Sequence, residues 1–173
     1  MMNNEERNKN NLFLMDNTAN PAPLGLCAFG TTTILLSLIN CGIIGLSSPV
    51  IAMAIFYGGI AQIIAGLMEW KKNNNFGFLT FVSFGFFWIS FATVLVLPVL
   101  GLAKAPQPTD LAAFLAVWGI VAFGLLVCTV NMHRSLQATV LAVVLTIALL
   151  AAAELTGSGL VKLAGGLVGI IAG

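Results

Sequence analysis

Residues 76–99 read FGFLTFVSFGFFWISFATVLVLPV, twenty-four consecutive positions without an Asp, Glu, Lys or Arg. A helix rises about 1.5 Å per residue, so this run can cross a hydrocarbon core about 30 Å thick. A barrel strand would instead show roughly ten residues of apolar–polar alternation. The run does not alternate. Thr80, Ser83 and Ser90 sit among Phe81, Phe84, Phe87, Trp88 and Phe91. The stretch reads as a transmembrane helix, its aromatic side chains serving packing or the wall of a pore.

The rest of the chain agrees. Of 173 residues, 59% are hydrophobic and only 8% are charged, with a net charge of +1. A soluble domain carries about 45–50% apolar and about 25% charged residues. Too little polar surface exists to cover a water-soluble globule. That excludes a cytosolic enzyme, a nucleic-acid binder and a disordered chain. An integral membrane protein remains, all-α, with membrane lipid as its surroundings.

Working outward, residues 1–19 are polar and Asn-rich, too poor in apolar area to fold alone. They read as a disordered cytoplasmic tail. Residues 20–173 divide into six apolar runs: Pro21–Ile44, Pro49–Glu69, Phe76–Val99, Leu111–Val130, Ser135–Ala153 and Gly159–Gly173. Ser47, Ser48 and Pro49 open the second run as a cap followed by first-turn proline, and Asp110 is placed to cap the fourth. The sixth run is shorter than a full span and reads as a truncated helix six. Arg7, Lys9, Lys71, Lys72 and Arg134 fall on one side, Lys104 and Lys162 on the other. The excess of positive charge predicts that both termini are cytoplasmic in a multi-pass cell-membrane protein.

Polar residues inside apolar spans mark where function can reside. Gly30, Thr33, Ser37 and Asn40 recur at helical spacing and form one stripe beside Phe29. The stripe fits either a helix–helix contact or one wall of a polar path. In the second span, Gln62 lies near the middle, where an unpaired amide is costly. It is expected to face Asn40, Thr33 or a solute. Gly58 and Gly59 would give room for that solute or let helix one approach, and Tyr57 adds a hydroxyl. Gly165, Gly169 and Gly173 are spaced by four and predict a close-packing seam.

No Lys or Arg lies deep in a span, and the sequence offers no Ser/His/Asp set, paired catalytic carboxylates, nucleotide loop or metal cluster. Cys27, Cys41 and Cys128 lie in apolar runs without metal spacing and read as small buried residues. The reading is not an enzyme, with no cofactor, no metal and no nucleic-acid partner.

Two motifs are specific. Asn20-Pro21-Ala22-Pro23-Leu24-Gly25-Leu26 resembles the NPAPLGL signature of the acetate uptake transporter family. Tyr57-Gly58-Gly59-Ile60-Ala61-Gln62 is similar to that family's YGG-x-x-Q stretch, with further similarity at Leu67–Lys72, Asn75-Phe76-Gly77 and Trp118-Gly119. The resemblance covers residues 20–173. It implies a transporter of acetate, often of succinate, linked to protons. It also implies six helices per protomer and a homohexamer with a path through each protomer. The family's constriction of Phe, Tyr and Leu falls on Phe29, Phe84 and Val143, so a hydroxyl is missing and one side chain is smaller. Asn20 can cap helix one, with Pro21 and Pro23 in its first turn. The free N–H groups there form either a weak anion site at the cytoplasmic mouth or simply a well-made helix start.

The expected substrate-binding residues are thus Asn20, Leu24, Thr33, Asn40, Tyr57 and Gln62, with Phe29, Phe84 and Val143 as the constriction. The expected function is movement of acetate and related short carboxylates, the acid crossing with a proton. A channel for small neutral solutes such as urea or short amides is the alternative. A sensor or scaffold without flux is the rival from another class.

Overall fold

The computed structural model describes residues 19–173. Apart from Ala19, the tail expected at residues 1–19 lies outside the described residues. Six helical segments follow: α1 (Ala22–Asn40), α2 (Ser48–Lys71), α3 (Asn75–Val99), α4 (Pro108–Cys128), α5 (Arg134–Thr156) and α6 (Gly159–Ala172). The first five are long and apolar enough to cross a membrane, and α6 has 14 residues. No strand occurs among the described residues.

Local chemistry sets the ends. The first span stops at Asn40, four residues earlier than hydropathy suggests, because the chain turns through Gly42 at φ 73°. Helix α4 begins at Pro108, and Asp110 is not its cap. Asp110 sits inside the first turn and accepts a hydrogen bond from the Gln107 backbone N–H at 2.9 Å. At the α5–α6 corner, Gly157 takes a left-handed φ of 65° and Ser158 caps α6 through the Val161 N–H.

Helix α2 is not uniform. Met53–Ala61 follows π-type hydrogen bonding between two ordinary α-helical ends. Such stretches are rare and widen the helix locally. Here the widened turn holds Gly58 and Gly59, both buried and pressed on neighbouring helices. A Cβ on Gly58 would lie 2.8 Å from the Thr32 side chain of α1 and 2.9 Å from Trp88 of α3. One on Gly59 would lie 2.5 Å from Ile89 of α3. These glycines bring helices together and do not open space for a solute.

The helices form a ring in which α4 packs on α5, α5 on α6, α6 on α1 and α2 on α3, while the α3–α4 contact is sparse. Helix α1 also touches α3 directly, so α2 lies in the outer groove between α1 and α3. The glycine seam of α6 lies within the protomer. Gly169 and Gly173 meet Ser37 and Gly30 of α1 and Gly166 meets Cys41 just past the end of that helix, whereas Gly165 turns toward Leu149 and Leu150 of α5. At the opposite end, buried Glu69 accepts a hydrogen bond from Asn74 Nδ2 at 2.7 Å. Asn74 Oδ1 in turn accepts from the Gly77 N–H, tying the end of α2 to the start of α3.

Only 22–39% of each long span is buried inside the protomer. Phe56, Val117, Ile120, Phe123, Leu167 and Ile171 all face outward. An apolar surface of that extent needs lipid or a neighbouring protomer. Cys27 and Cys128 are exposed and Cys41 half-buried, so the expected burial of the cysteines does not hold in the isolated protomer.

Candidate permeation path

Inside the ring is a cavity of about 310 Å³. Its inner end is walled by Phe29, Phe84 and Val143, each near the middle of its helix. The Phe29 and Phe84 rings are 6.0 Å apart and inclined by 52°. Aromatic packing continues from Phe84 to Phe87 and from there to Trp88, Phe91, Phe114 and Trp118, with centroid separations of 5.4–6.4 Å. Such offset and edge-on contacts stiffen a wall. Phe87 and Phe91 of α3 therefore both pack on the α4 aromatics and surface the cavity.

From that floor the cavity runs to the helix ends that carry Asn40, Leu46, Leu95, Leu111, Glu154 and Lys162. Its polar lining is sparse. The Thr33 hydroxyl donates to the Phe29 carbonyl at 2.7 Å and Thr146 to the Ala142 carbonyl at 2.8 Å. Both oxygens keep lone pairs but no spare donor. The Asn40 amide forms no hydrogen bond among the described residues, and the Trp88 indole N–H of another lining residue is likewise without a partner. Ser37 is buried between the cavity and Gly169.

The stripe on α1 thus divides by face. Gly30 and Ser37 meet α6, while Thr33 and Asn40 line the cavity. One strip makes the helix–helix contact and the adjacent strip lines the cavity. The other site residues are not brought together with them. Gln62 is 0% exposed, outside the cavity, and neither of its amide atoms has a partner. It does not face Asn40 or Thr33 across a path, because α2 lies behind α1 and α3. Tyr57, in the π-type stretch, is half-buried and also outside the cavity lining. Asn20 and Leu24 are exposed at the opposite end of α1.

The first turn of α1 has no N–H to spare for an anion. Ala22 N–H donates to Asn20 Oδ1 at 3.1 Å, Pro23 has none, and Leu24 and Gly25 N–H both donate to the Pro21 carbonyl. Of the two readings of this motif, the well-made helix start fits; the cap position itself falls on Pro21.

Two lining residues were not singled out from sequence. Glu154 stands at a span end, and Lys162 enters the sequence reading only through the charge count that sets orientation. Folding of α6 back along α5 places both over the cavity, Nζ to Oε1 3.7 Å. They are the charged members of its lining.

Burial of an amide without a partner costs about 1–3 kcal/mol. Gln62→Leu is therefore expected to raise the melting temperature of the purified protein and to leave flux per folded molecule unchanged. Lost flux from a variant of unchanged melting temperature would return Gln62 to the path.

A helical bundle that is apolar outside, with an internal cavity running from mid-membrane to one face, defines a membrane transport protein. Residues 8–173 match the GPR1/FUN34/yaaH family, and the chain belongs to that family. It is 44% identical over 161 residues to the succinate-acetate/proton symporter SatP of Escherichia coli strain K12, covering 92% of this chain and 86% of that one. It is 38% identical over 161 residues to ammonia transport outward protein 2 of Saccharomyces cerevisiae, covering 88% of this chain and 57% of the yeast protein. The solved structure of the bacterial acetate channel SatP superposes with a TM-score of 0.88 at 43% identity, over 90% of this chain and 86% of that chain.

Proposed function

We propose that this protein moves acetate and related short carboxylates, succinate among them, across the cell membrane, each carboxyl group crossing with a proton. The observation that carries the reading is the cavity itself. Its volume of about 310 Å³ suffices for a small acid, Thr33 and Asn40 are among its lining residues, and so are Phe29, Phe84 and Val143 near the middle of their helices. The succinate–acetate symporter and the acetate channel named above, both similar over most of the chain, support the same solute class.

The proton follows from the floor of the cavity. Phe29, Phe84 and Val143 offer a passing anion no donor. Stripping water from a carboxylate costs several kcal/mol even after relaxation. The neutral acid avoids most of that cost. Asn40 and Thr33 serve solvated solute in the wider part, and Phe29, Phe84 and Val143 form the constriction.

In this reading the N-terminus is cytoplasmic, so the cavity opens on the outer face, and the outward apolar residues of six protomers meet in a homohexamer. Single cysteines introduced as Lys72→Cys and Lys104→Cys, with Cys27, Cys41 and Cys128 replaced, test the orientation. Impermeant maleimide should label position 104 from outside intact cells and spare position 72. The reverse pattern inverts the assignment.

A channel for small neutral solutes is the second reading, favoured by the apolar lining and by the yeast relative named for ammonia transport. Labelled acetate flux into liposomes separates the two. Propionate and formate should compete with acetate, and urea should not. Absence of protein-dependent acetate flux would end the carboxylate reading and leave the scaffold as its rival.

A further inference from the structure

We infer that Lys162 and Glu154 form a charge-reading station at the mouth of the cavity, where a solute carboxylate displaces Glu154 from the Lys162 ammonium before reaching the dry floor. The inference deepens the proposed function and rests on it for the identity of the solute. Glu154 lies near the end of α5 and Lys162 near the start of α6. The left-handed turn at Gly157 folds the two residues onto each other over the same cavity that Phe29, Phe84 and Asn40 line.

Three features make the pair an exchangeable site and not a structural clasp. The 3.7 Å separation is loose for an ammonium–carboxylate contact, which closes to about 2.7–2.9 Å when charge-assisted hydrogen bonding is complete. Lys162 is 44% exposed and Glu154 24%, so neither is locked by packing. Neither has another polar partner among the described residues. A pair so exposed contributes little to stability.

The pair also has a position that a surface salt bridge lacks. The rest of the lining is uncharged, so Lys162 is the full positive charge that an arriving carboxylate meets. Glu154 competes for the same ammonium and repels the newcomer. Acid and isosteric amide are thereby distinguished at the mouth, by charge, before size and hydration act at the constriction. Asn40, unpaired on the same wall, can donate a hydrogen bond to an oxygen of either solute and does not discriminate.

The test compares wild type, Lys162→Gln, Lys162→Arg, Glu154→Gln and the double glutamine variant in liposomes, with labelled acetate and acetamide. Lys162→Gln should raise the acetate KM about threefold at unchanged maximal flux, the scale of a solvent-exposed charge pair. Glu154→Gln should lower KM by about the same factor. The double variant, freed of the Glu154 repulsion as well as of the ammonium, should fall between the two single variants, Lys162→Arg should behave as wild type, and acetamide should be indifferent to all four. A second readout needs no transport: acetate, more than acetamide, should raise the melting temperature of detergent-purified wild type, and less so in Lys162→Gln. Unchanged acetate KM and unchanged thermal response in both single variants overturn the site, as do equal effects on acetate and acetamide. A Lys162-dependent thermal response without any acetate flux would keep the site and refute the transport reading; neither signal would refute both.

Discussion

Protein-dependent acetate uptake, measured far below saturation, should fall about tenfold for each pH unit above about 6. The neutral fraction of a carboxylic acid with a pKa between about 4 and 5 falls by that factor as pH rises. In the proposed path the sign follows from the constriction: raising pH strips the proton from the solute, and the anion would meet Phe29, Phe84 and Val143 without a donor. The charge pair at the mouth gathers anions, but gathering does not lower the barrier beyond it. Net charge movement should be zero. The measurement is labelled uptake with the leak of protein-free liposomes subtracted, together with voltage-clamped current across the same membrane. A voltage-dependent acetate current that persists at alkaline pH would exclude co-transfer and establish an anion channel.

The second large effect is on assembly. Gly85 of α3 is buried against α2, where a Cβ would lie 2.5 Å from the Ile63 side chain and 2.9 Å from the Gly59 carbonyl oxygen. A backbone oxygen cannot rotate aside. Gly85→Ala should cost about 1–3 kcal/mol by overpacking, and Gly85→Leu should remove folded protein from the membrane. Gly119→Ala is the comparison. There a Cβ meets only Ile147, at an ordinary 3.5 Å. That substitution should be neutral or stabilising, because alanine favours a helix interior by about 1 kcal/mol. Size-exclusion profiles and melting temperatures in detergent read both. Equal tolerance at the two positions would contradict the close approach of α2 and α3.

These glycines show how far the sequence could be read. Hydropathy located the five long helices, since twenty apolar residues have few places to go other than a bilayer, and it also marked the shorter α6. Ends moved where caps decide: Asp110 looked like a cap but lies within the first turn, three residues beyond Gln107. The stripe on α1 was legible because helical spacing fixes which residues share a face. Its division between α6 and the cavity was not, since neighbours are set by the whole ring. Gln62 was placed in the path because a mid-span amide suggests a pore. That α2 lies behind α1 and α3 is a fact of packing that no local pattern carries. The π-type stretch of α2 is also invisible locally, because a hydrogen-bond register shifted by one residue is held by what presses on the helix from both sides. Lys162 and Glu154 were overlooked for the opposite reason. Charges at span ends are expected on any membrane protein, and only the back-folding of α6 distinguishes these two.

The aromatic floor of the cavity has an electrical consequence. In the proposed path, solvent in the wide part would carry ions more freely than the floor does. The transmembrane voltage then drops across the thin layer of low polarisability around Phe29 and Phe84, whose rings are 6.0 Å apart. One elementary charge crossing 100 mV gains or loses about 2.3 kcal/mol. A layer that admits only neutral species, as proposed for this constriction, would be an insulator to that field and a door to the acid. The membrane can thus be crowded with such doors while its stored energy stays intact.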